Sequence, residues 1–241
     1  MRMNKLFTTL YLLAACLFGT PLCGQTSGTP ADTAQSKNPA FTHGEKLTYV
    51  VSYKAGINTD VAEVTFVTRE GWLDGTKVYQ IDANGRVYPF FRWFFDLNDS
   101  YYSSLDYRTL RPLELRAEIR EGKYRTSSKY TYDWDAKQVH TSFRNHKNPT
   151  ATLKTMPLTE GSFDAVALFF NLRCEDAAKF RPGEQHTLEM VLEDTIRRIN
   201  YRLAGREVRS IKGVGKFRTL KFRCELATST GESFEDGSEF T

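Results

Sequence analysis

Residues 113–134 read LELRAEIREGKYRTSSKYTYDW, and this stretch decides the class of the fold. Apolar and charged residues alternate up to a turn at Gly122, and the alternation resumes through Tyr130, Tyr132 and Trp134. A period of two places successive side chains on opposite faces of a strand, so each half predicts a half-buried β-strand. The stretch therefore predicts an antiparallel hairpin with one face toward a core.

The same alternation recurs on both sides of this hairpin. Further candidate strands cover residues 47–53, 62–66, 79–83, 139–143, 188–192, 199–203 and 220–226. The segments that join these strands are too short for the crossovers that parallel strands need, so we expect antiparallel pairing.

One segment departs from the period of two and predicts a helix. Residues 162–173 read SFDAVALFFNLR, with apolar side chains on nearly every face. A helix that is apolar all round must be buried. Thr159 or Ser162 can cap its first amides, Asp164 suits its positive end and Arg173 its negative end.

These elements predict one mainly β domain over residues 41–241. We expect a curved antiparallel sheet, or a partial, open β-barrel, with one buried α-helix packed on its concave face. Such closure hides both the aromatic face of the sheet and the apolar helix. Two sheets packed against each other are the alternative architecture.

Composition and charge exclude several classes of function. The chain has 241 residues, 40% of them hydrophobic and 13% aromatic, which suffices to bury a core and excludes a low-complexity chain. Its 33 Lys and Arg and 29 Asp and Glu are spread along the whole length and give a net charge of +4. We therefore expect no nucleic-acid partner.

No catalytic or metal-binding constellation can be assembled from the sequence. The histidines and cysteines lack the His-x-x-x-His and Cys-x-x-Cys spacings, so we expect no metal and no cofactor. Asp96, Asp99 and Asp106 could work as acid and base, but they fall in a Ser- and Tyr-rich region where solvated turns need acids. We expect a non-catalytic protein, and a hydrolase of cell-wall material that uses these acids is an alternative.

The first 24 residues have the layout of a secretory signal peptide. A basic start precedes an apolar run over residues 6–18, and small, turn-forming residues follow. The run is shorter than the roughly 20 residues that span a bilayer, so we expect no transmembrane helix after processing. Two processing routes are possible: cleavage after Gly24, or lipidation of Cys16 in the lipobox-like segment Leu13-Ala14-Ala15-Cys16.

Two features follow from this processing. Residues 25–40 are small and polar, and they predict a disordered linker before the folded domain. Cleavage after Gly24 leaves Cys174 and Cys224 as an even pair in an oxidising compartment, where a disulfide can form. Two buried thiols are the alternative, because Cys224 sits in a strand-like alternation.

A curved sheet offers a concave apolar surface, and this favours a binding function. We expect a lipid or other apolar or amphipathic ligand between sheet and helix. The candidate lining residues are Tyr49, Tyr53, Phe66, Phe91, Trp93, Tyr130, Trp134, Phe169 and Phe170. Phe91 and Trp93 belong to an aromatic block at residues 88–95, for which core packing is the competing interpretation. The other class of function is an assembly protein that pairs with an envelope partner through a sheet edge.

Several short motifs occur in a characteristic order and spacing. They are Gly44-Glu45-Lys46-Leu47-Thr48-Tyr49 with Val51-Ser52-Tyr53, Asp164 with Arg173, Arg181-Pro182-Gly183, and Gly205-Arg206-Glu207 followed by Gly215-Lys216-Phe217. Together they resemble a bacterial envelope family known as domain of unknown function 3108. The resemblance covers residues 41–241.

The resemblance implies a location more than an activity. Members of that family are exported proteins found largely in Gram-negative bacteria, so we expect this chain in the periplasm or associated with the outer membrane. They also continue into a further strand pair that begins with a Trp-x-Ser-Asp-Asp-like stretch, whereas this chain ends at Thr241. The strand at residues 220–226 is therefore expected to present an unpaired edge or an exposed apolar face.

Overall fold

The computed structural model describes residues 37–55, 57–93, 95–211 and 213–224, and the side chains of residues 53–58 and 224 lie outside that description. The expected signal peptide, Cys16 and most of the expected linker also lie outside the described residues. In these ranges the chain is mainly β. The strands are β1 (Lys46–Ala55), β2 (Ile57–Leu73), β3 (Thr76–Val87), β4 (Asn98–Asp106), β5 (Pro112–Glu121), β6 (Tyr124–Asp133), β7 (Gln138–Asn145), β8 (Thr152–Pro157), β9 (Ser162–Phe163), β10 (Gln185–Leu192), β11 (Thr195–Ile211) and β12 (Gly215–Cys224), and the helix is α1 (Ala165–Arg173).

The strands form two sheets. The larger sheet has eight strands in chain order from β1 to β8, and every neighbouring pair is antiparallel. The smaller sheet has four strands in the order β12-β11-β10-β9, and only the short β9 pairs in parallel. The described residues form no closed barrel, and the expectation of an open, curved antiparallel sheet with one helix is confirmed.

Helix α1 lies between the two sheets. Phe169 and Phe170 belong to the core cluster of the larger sheet, whereas Leu168 belongs to a separate cluster with Leu188 and Met190 of the smaller sheet. This placement explains why the helix is apolar on nearly all sides, because each face meets a different sheet.

The helix begins later than the sequence predicts. Ser162 belongs to β9, and its hydroxyl donates to Glu189 Oε2 at 3.1 Å. The cap is Asp164, whose Oδ1 accepts a hydrogen bond from the Ala167 N–H at 2.8 Å. The expected cap at Thr159 or Ser162 is therefore wrong, because strand pairing engages this segment before the helix starts.

Strand β4 occupies the region that the sequence assigns to solvated turns. Its residues read NDSYYSSLD, and Asp99, Ser103 and Leu105 are buried. The alternation is hidden because Asp and Ser, residues typical of turns, occupy positions on the buried face. The assignment of Asp99 to a solvated turn is wrong for this reason.

The first described residues lie against the C-terminal end of α1. Lys37 Nζ donates to Asn171 Oδ1 at 2.8 Å, and the Ala40 carbonyl accepts from Arg173 at 3.2 Å. Residues 37–40, which the sequence assigns to the linker, thus contact the domain. Within the described ranges no helix is long and apolar enough to cross a bilayer.

Candidate functional site

Four of the expected lining rings meet where α1 covers the larger sheet. Phe66 stacks on Phe169 with ring centroids 4.7 Å apart, and Phe170 meets Phe66 edge-on at 5.9 Å. Tyr49 packs against Phe169 at 5.8 Å. These rings pack directly against one another, so this end of the concave face is a packed core.

The other expected lining residues lie elsewhere. Trp134 is half-buried, stacks on Tyr132 at 6.2 Å and donates from Nε1 to the Pro112 carbonyl at 2.8 Å. Phe91 is half-buried, and Trp93 is 82% exposed, so Trp93 neither lines the concave face nor packs in the core. The Tyr53 side chain lies outside the description.

A second region of the concave face is polar, and its centre is a pair of carboxyl groups. Asp99 on β4 and Glu121 at the end of β5 are each 3% exposed. The Asp99 carboxyl accepts the Arg120 backbone N–H at 2.9 Å and is hydrogen-bonded to Glu121. Burial raises the pKa of Asp99 from 3.8 to about 6, although both hydrogen bonds oppose that rise.

A third carboxyl group arrives from the smaller sheet. Glu193 lies in the β10–β11 turn with a φ of 54°, and its Oε1 accepts the Tyr124 hydroxyl at 2.8 Å. Its backbone N–H donates to the Tyr130 hydroxyl at 2.6 Å. Burial also raises the pKa of Glu193. The turn thus joins the two sheets through tyrosine side chains.

We call this region the acid–tyrosine cluster. Its members are Asp99, Tyr101, Glu121, Tyr124, Tyr130 and Glu193. The Tyr101 pKa is raised by burial first and then by the charges of Asp99 and Glu121. Burial and hydrogen bonding to Glu193 likewise raise the Tyr124 pKa, so both phenols stay protonated as hydrogen-bond donors.

Strand register explains why these groups share a face. Glu121 pairs with Tyr124 across the β5–β6 turn, and Tyr101 pairs with Ala117. Ala117 and Glu121 both belong to the inward series of β5, so all four side chains lie on the same face of the sheet. Ala117 and Ser128 are small and buried and lie opposite each other on the same face. Small side chains on a curved sheet leave space, and the larger tyrosine side chains beside them fill it.

The Ser103 hydroxyl on this face has no hydrogen-bond partner among the described residues. Ser103 is 0% exposed, and its Oγ makes no hydrogen bond there. It shares the inward face of β4 with Asp99 and Tyr101, and it pairs with Leu115. A buried hydroxyl in this state costs stability, which is typical of a place where water or a ligand binds.

Asp164 is another buried carboxyl group, and its role is structural. It is 0% exposed and caps α1, and the Tyr132 hydroxyl lies 3.5 Å from its Oδ2. Burial raises its pKa to about 6 despite these hydrogen bonds. Asp106 also serves structure, since it accepts the N–H groups of Arg108 and Thr109 in a turn.

The arrangement suits a ligand that donates hydrogen bonds or carries positive charge. Within the described part of the chain, no group of three or more metal-ligating side chains is found. Besides burial, the groups that act on the Asp99 pKa are the Arg120 backbone N–H and the Glu121 carboxyl. A buried pair of carboxyl groups in contact favours an ammonium or hydroxyl group as its ligand.

Sequence reasoning named Asp99 and Tyr130 but missed the other members of the cluster. For Glu121 a signal was present, because it continues the inward series of Leu115, Ala117 and Ile119 along β5. An acid on the apolar side of an alternating strand is unusual. For Glu193 no local signal existed, since its contacts come from a different sheet.

The predicted disulfide stays a prediction. The Cys174 Sγ lies 3.2 Å from the Phe170 carbonyl oxygen and accepts the Ala40 N–H at 3.3 Å. Burial raises the pKa of this thiol. The Cys224 side chain lies outside the described residues.

Comparison with models of protein families gives a match. A family described as "Protein of unknown function (DUF3108)" matches residues 48–241. No curated protein and no solved structure matches the chain.

Proposed function

The chain belongs to the DUF3108 family of proteins of unknown function, and from this premise we propose that it is an exported, non-catalytic envelope protein that holds an amphipathic ligand at the acid–tyrosine cluster. The secretory layout of residues 1–24 supports export to the periplasm or to the outer-membrane surface. Processing at Gly24 gives a secreted form, and lipidation at Cys16 gives an anchored one.

The observation that carries the proposal is the buried Asp99–Glu121 pair. Two carboxyl groups in contact, each 3% exposed, resist simultaneous ionisation and cost folding free energy. Such an arrangement is typical of a functional site, because a binding partner can compensate for the cost. Ser103 on the same face adds an unsatisfied hydroxyl among the described residues.

The ligand chemistry follows from the two parts of the concave face. A positively charged or hydroxyl-bearing head meets the carboxylates of the cluster. An apolar tail follows the rings of Tyr101 and Tyr130 toward Ile119 and Ala117. The packed rings around Phe169 close the far end, so the ligand site is the polar end rather than the whole interior.

Long-chain ammonium binding tests this proposal. The full chain is titrated with dodecylammonium and with dodecanoate, which has the same chain length and the opposite charge, by isothermal calorimetry below micelle-forming concentrations. We expect dodecylammonium to bind and Glu121→Gln to weaken its binding by about tenfold, the loss of one charged hydrogen bond.

A matched control lies on the same strand. Glu118 on β5 is exposed and points to the outward face, so Glu118→Gln should leave the affinity unchanged. Equal loss in both variants, or no binding of either amphiphile together with native mass spectrometry that shows only the polypeptide mass, would count decisively against the proposal.

The Asp99–Glu121 contact also favours a second candidate, a hydrolase of cell-wall material that uses a carboxyl dyad. Each acid is only 3% exposed, and a polymer needs wider access to both acids than a single head group does, so we rank the hydrolase second. Turnover of cell-wall fragments that disappears in a folded Asp99→Asn variant would establish it.

A third candidate is assembly through a sheet edge. Strand β8 is the last strand of the larger sheet, and Leu153 on it is 76% exposed. An edge strand with an exposed aliphatic side chain is a template for pairing with another chain. Crosslinking through residues 152–155 that recovers one stoichiometric envelope protein would favour this candidate.

A further inference from the structure

The outer half of the β11–β12 hairpin forms an arm whose composition differs from the rest of the chain. The arm runs from Arg206 to Leu220 and pairs Arg206 with Leu220 at its base and Ile211 with Gly215 near its tip. At about 3.3 Å per residue the paired part is roughly 17 Å long. It carries five basic residues and one acidic residue.

The base of the arm is fixed to the domain, and most of the remainder is exposed. Arg206 Nη2 donates to the Ala177 carbonyl at 2.9 Å and approaches the Phe180 carbonyl at 3.4 Å. Farther out, Val208 is 66% exposed, Val214 is 68% exposed and Ile211 is 41% exposed. Exposed aliphatic side chains in the outer part of one hairpin mark an interaction surface.

The two faces of the arm differ in charge. Register places Arg206, Val208, Ser210, Lys216, Arg218 and Leu220 on one face, which we call the cationic face. This face has three cations and no acid. On the opposite face Arg209 forms an ion pair with Glu207, so its charge is compensated within the arm.

We propose that the cationic face and the tip of this arm dock on an anionic phospholipid surface. Lys and Arg are attracted to anionic headgroups, and aliphatic side chains between them enter the boundary of the acyl region. The exposed Val208 and Val214 favour a lipid surface over a soluble polyanion, because a polyanion offers them no apolar environment. This inference is independent of the ligand site, because the arm and the acid–tyrosine cluster share no residue.

The test is vesicle co-sedimentation of the full chain. Vesicles of phosphatidylglycerol and phosphatidylcholine in equal parts are compared with pure phosphatidylcholine vesicles. Wild type should sediment with the anionic vesicles only, and added salt should release it, since exposed charges are screened. The double variant K216E/R218E should lower the partition coefficient by about tenfold or more.

Two further variants separate charge from folding and from apolar contact. K123E/R125E makes the same charge change on exposed residues of the β5–β6 hairpin and should bind like wild type. Val214→Ser should weaken binding about threefold, as expected when one aliphatic side chain no longer enters the interface. Circular dichroism of each variant confirms that the sheet is intact.

The outcomes decide the proposal. Equal loss in K216E/R218E and K123E/R125E would show a general charge effect and overturn it, and unchanged binding in Val214→Ser would replace the lipid surface with a polyanion. Failure of wild type to sediment with anionic vesicles would also overturn it. The acidic residues 225–241, which include no Lys or Arg, would then be the next partner to test for these cations.

Discussion

The Arg173 guanidinium donates two hydrogen bonds to the Glu45 carboxylate, from Nη1 to Oε2 and from Nη2 to Oε1, each 2.8 Å long. The two residues lie 128 positions apart, and the pair fixes the C-terminal end of α1 to the segment that enters β1. The Arg173 side chain is only 5% exposed, and its guanidinium also faces the Phe170 ring at 5.2 Å. Both residues belong to the motifs that carry the family resemblance, and the structure shows that they act together.

Removal of either partner should destabilise the fold strongly. Arg173→Met leaves the partly buried Glu45 without its cation, and we expect unfolding to become easier by about 3 kcal/mol. Chemical denaturation monitored by tryptophan fluorescence measures this. Arg173→Lys keeps the charge but loses the two-pronged geometry, so it should recover only part of the loss.

A double-mutant cycle with Glu45→Gln checks the physical reason. If the ion pair carries the effect, the loss of stability in the double variant should fall well short of the sum of the losses in Arg173→Met and Glu45→Gln. Additive losses would mean that Arg173 acts through its aromatic contacts instead.

Phe169 and Trp93, both expected from the sequence to line a ligand site, should behave oppositely. Phe169→Ala removes a buried ring that stacks on Phe66, and it should cost about 3–5 kcal/mol. Trp93→Ala removes a ring that is 82% exposed, and it should change stability by about 0.5 kcal/mol or less. Thermal unfolding compares the two, and a large loss in Trp93→Ala would contradict the exposed placement of Trp93.

The acid pair should make stability depend on pH. The pKa of Asp99 is about 6 in the folded state against an ordinary 3.8, so the folded state binds its proton more tightly than the unfolded state. The stabilisation from this group is complete below about pH 4 and is lost as the pH rises through about 6. As the pH rises between those values, the free energy of unfolding of Asp99→Asn should therefore increase by up to about 2–3 kcal/mol relative to that of wild type.

Urea unfolding at about pH 4 and about pH 7.5 measures that change, and its reference is the exposed variant Glu118→Gln. The prediction concerns the difference between the two pH values, because the substitution also alters hydrogen bonds at every pH. Stability profiles of wild type and Asp99→Asn that stay parallel would contradict it.

The link between the two sheets should weaken when the Tyr130 hydroxyl is removed. Tyr130→Phe deletes the acceptor of the Glu193 N–H, and we expect a loss of about 1–2 kcal/mol. Amide exchange at Glu193 should accelerate more than exchange in β2 and β3. The matched variant Tyr102→Phe on the opposite side of β4 should leave the Glu193 amide unchanged.

Local sequence pattern was a good guide wherever the two faces of an element differ in polarity. Strands β5 and β6 alternate clearly, and their hairpin was predicted with its turn at Gly122. Strand β4 was missed because Asp99 and Ser103 occupy inward positions. The pattern failed at the candidate site for the same reason, since polar residues on a buried face resemble a turn.

The sequence by itself determined that most of the chain forms β-strands, that these strands pair mainly antiparallel, and that one helix is apolar on nearly every side. These properties depend on residues that are close together in the sequence. Only the tertiary structure decided that the helix lies between two sheets, that Arg173 meets Glu45, and that Glu193 meets Tyr124 and Tyr130. These contacts join residues 63 to 128 positions apart. No local periodicity encodes them, because they arise only when the packing of the whole chain brings distant segments together.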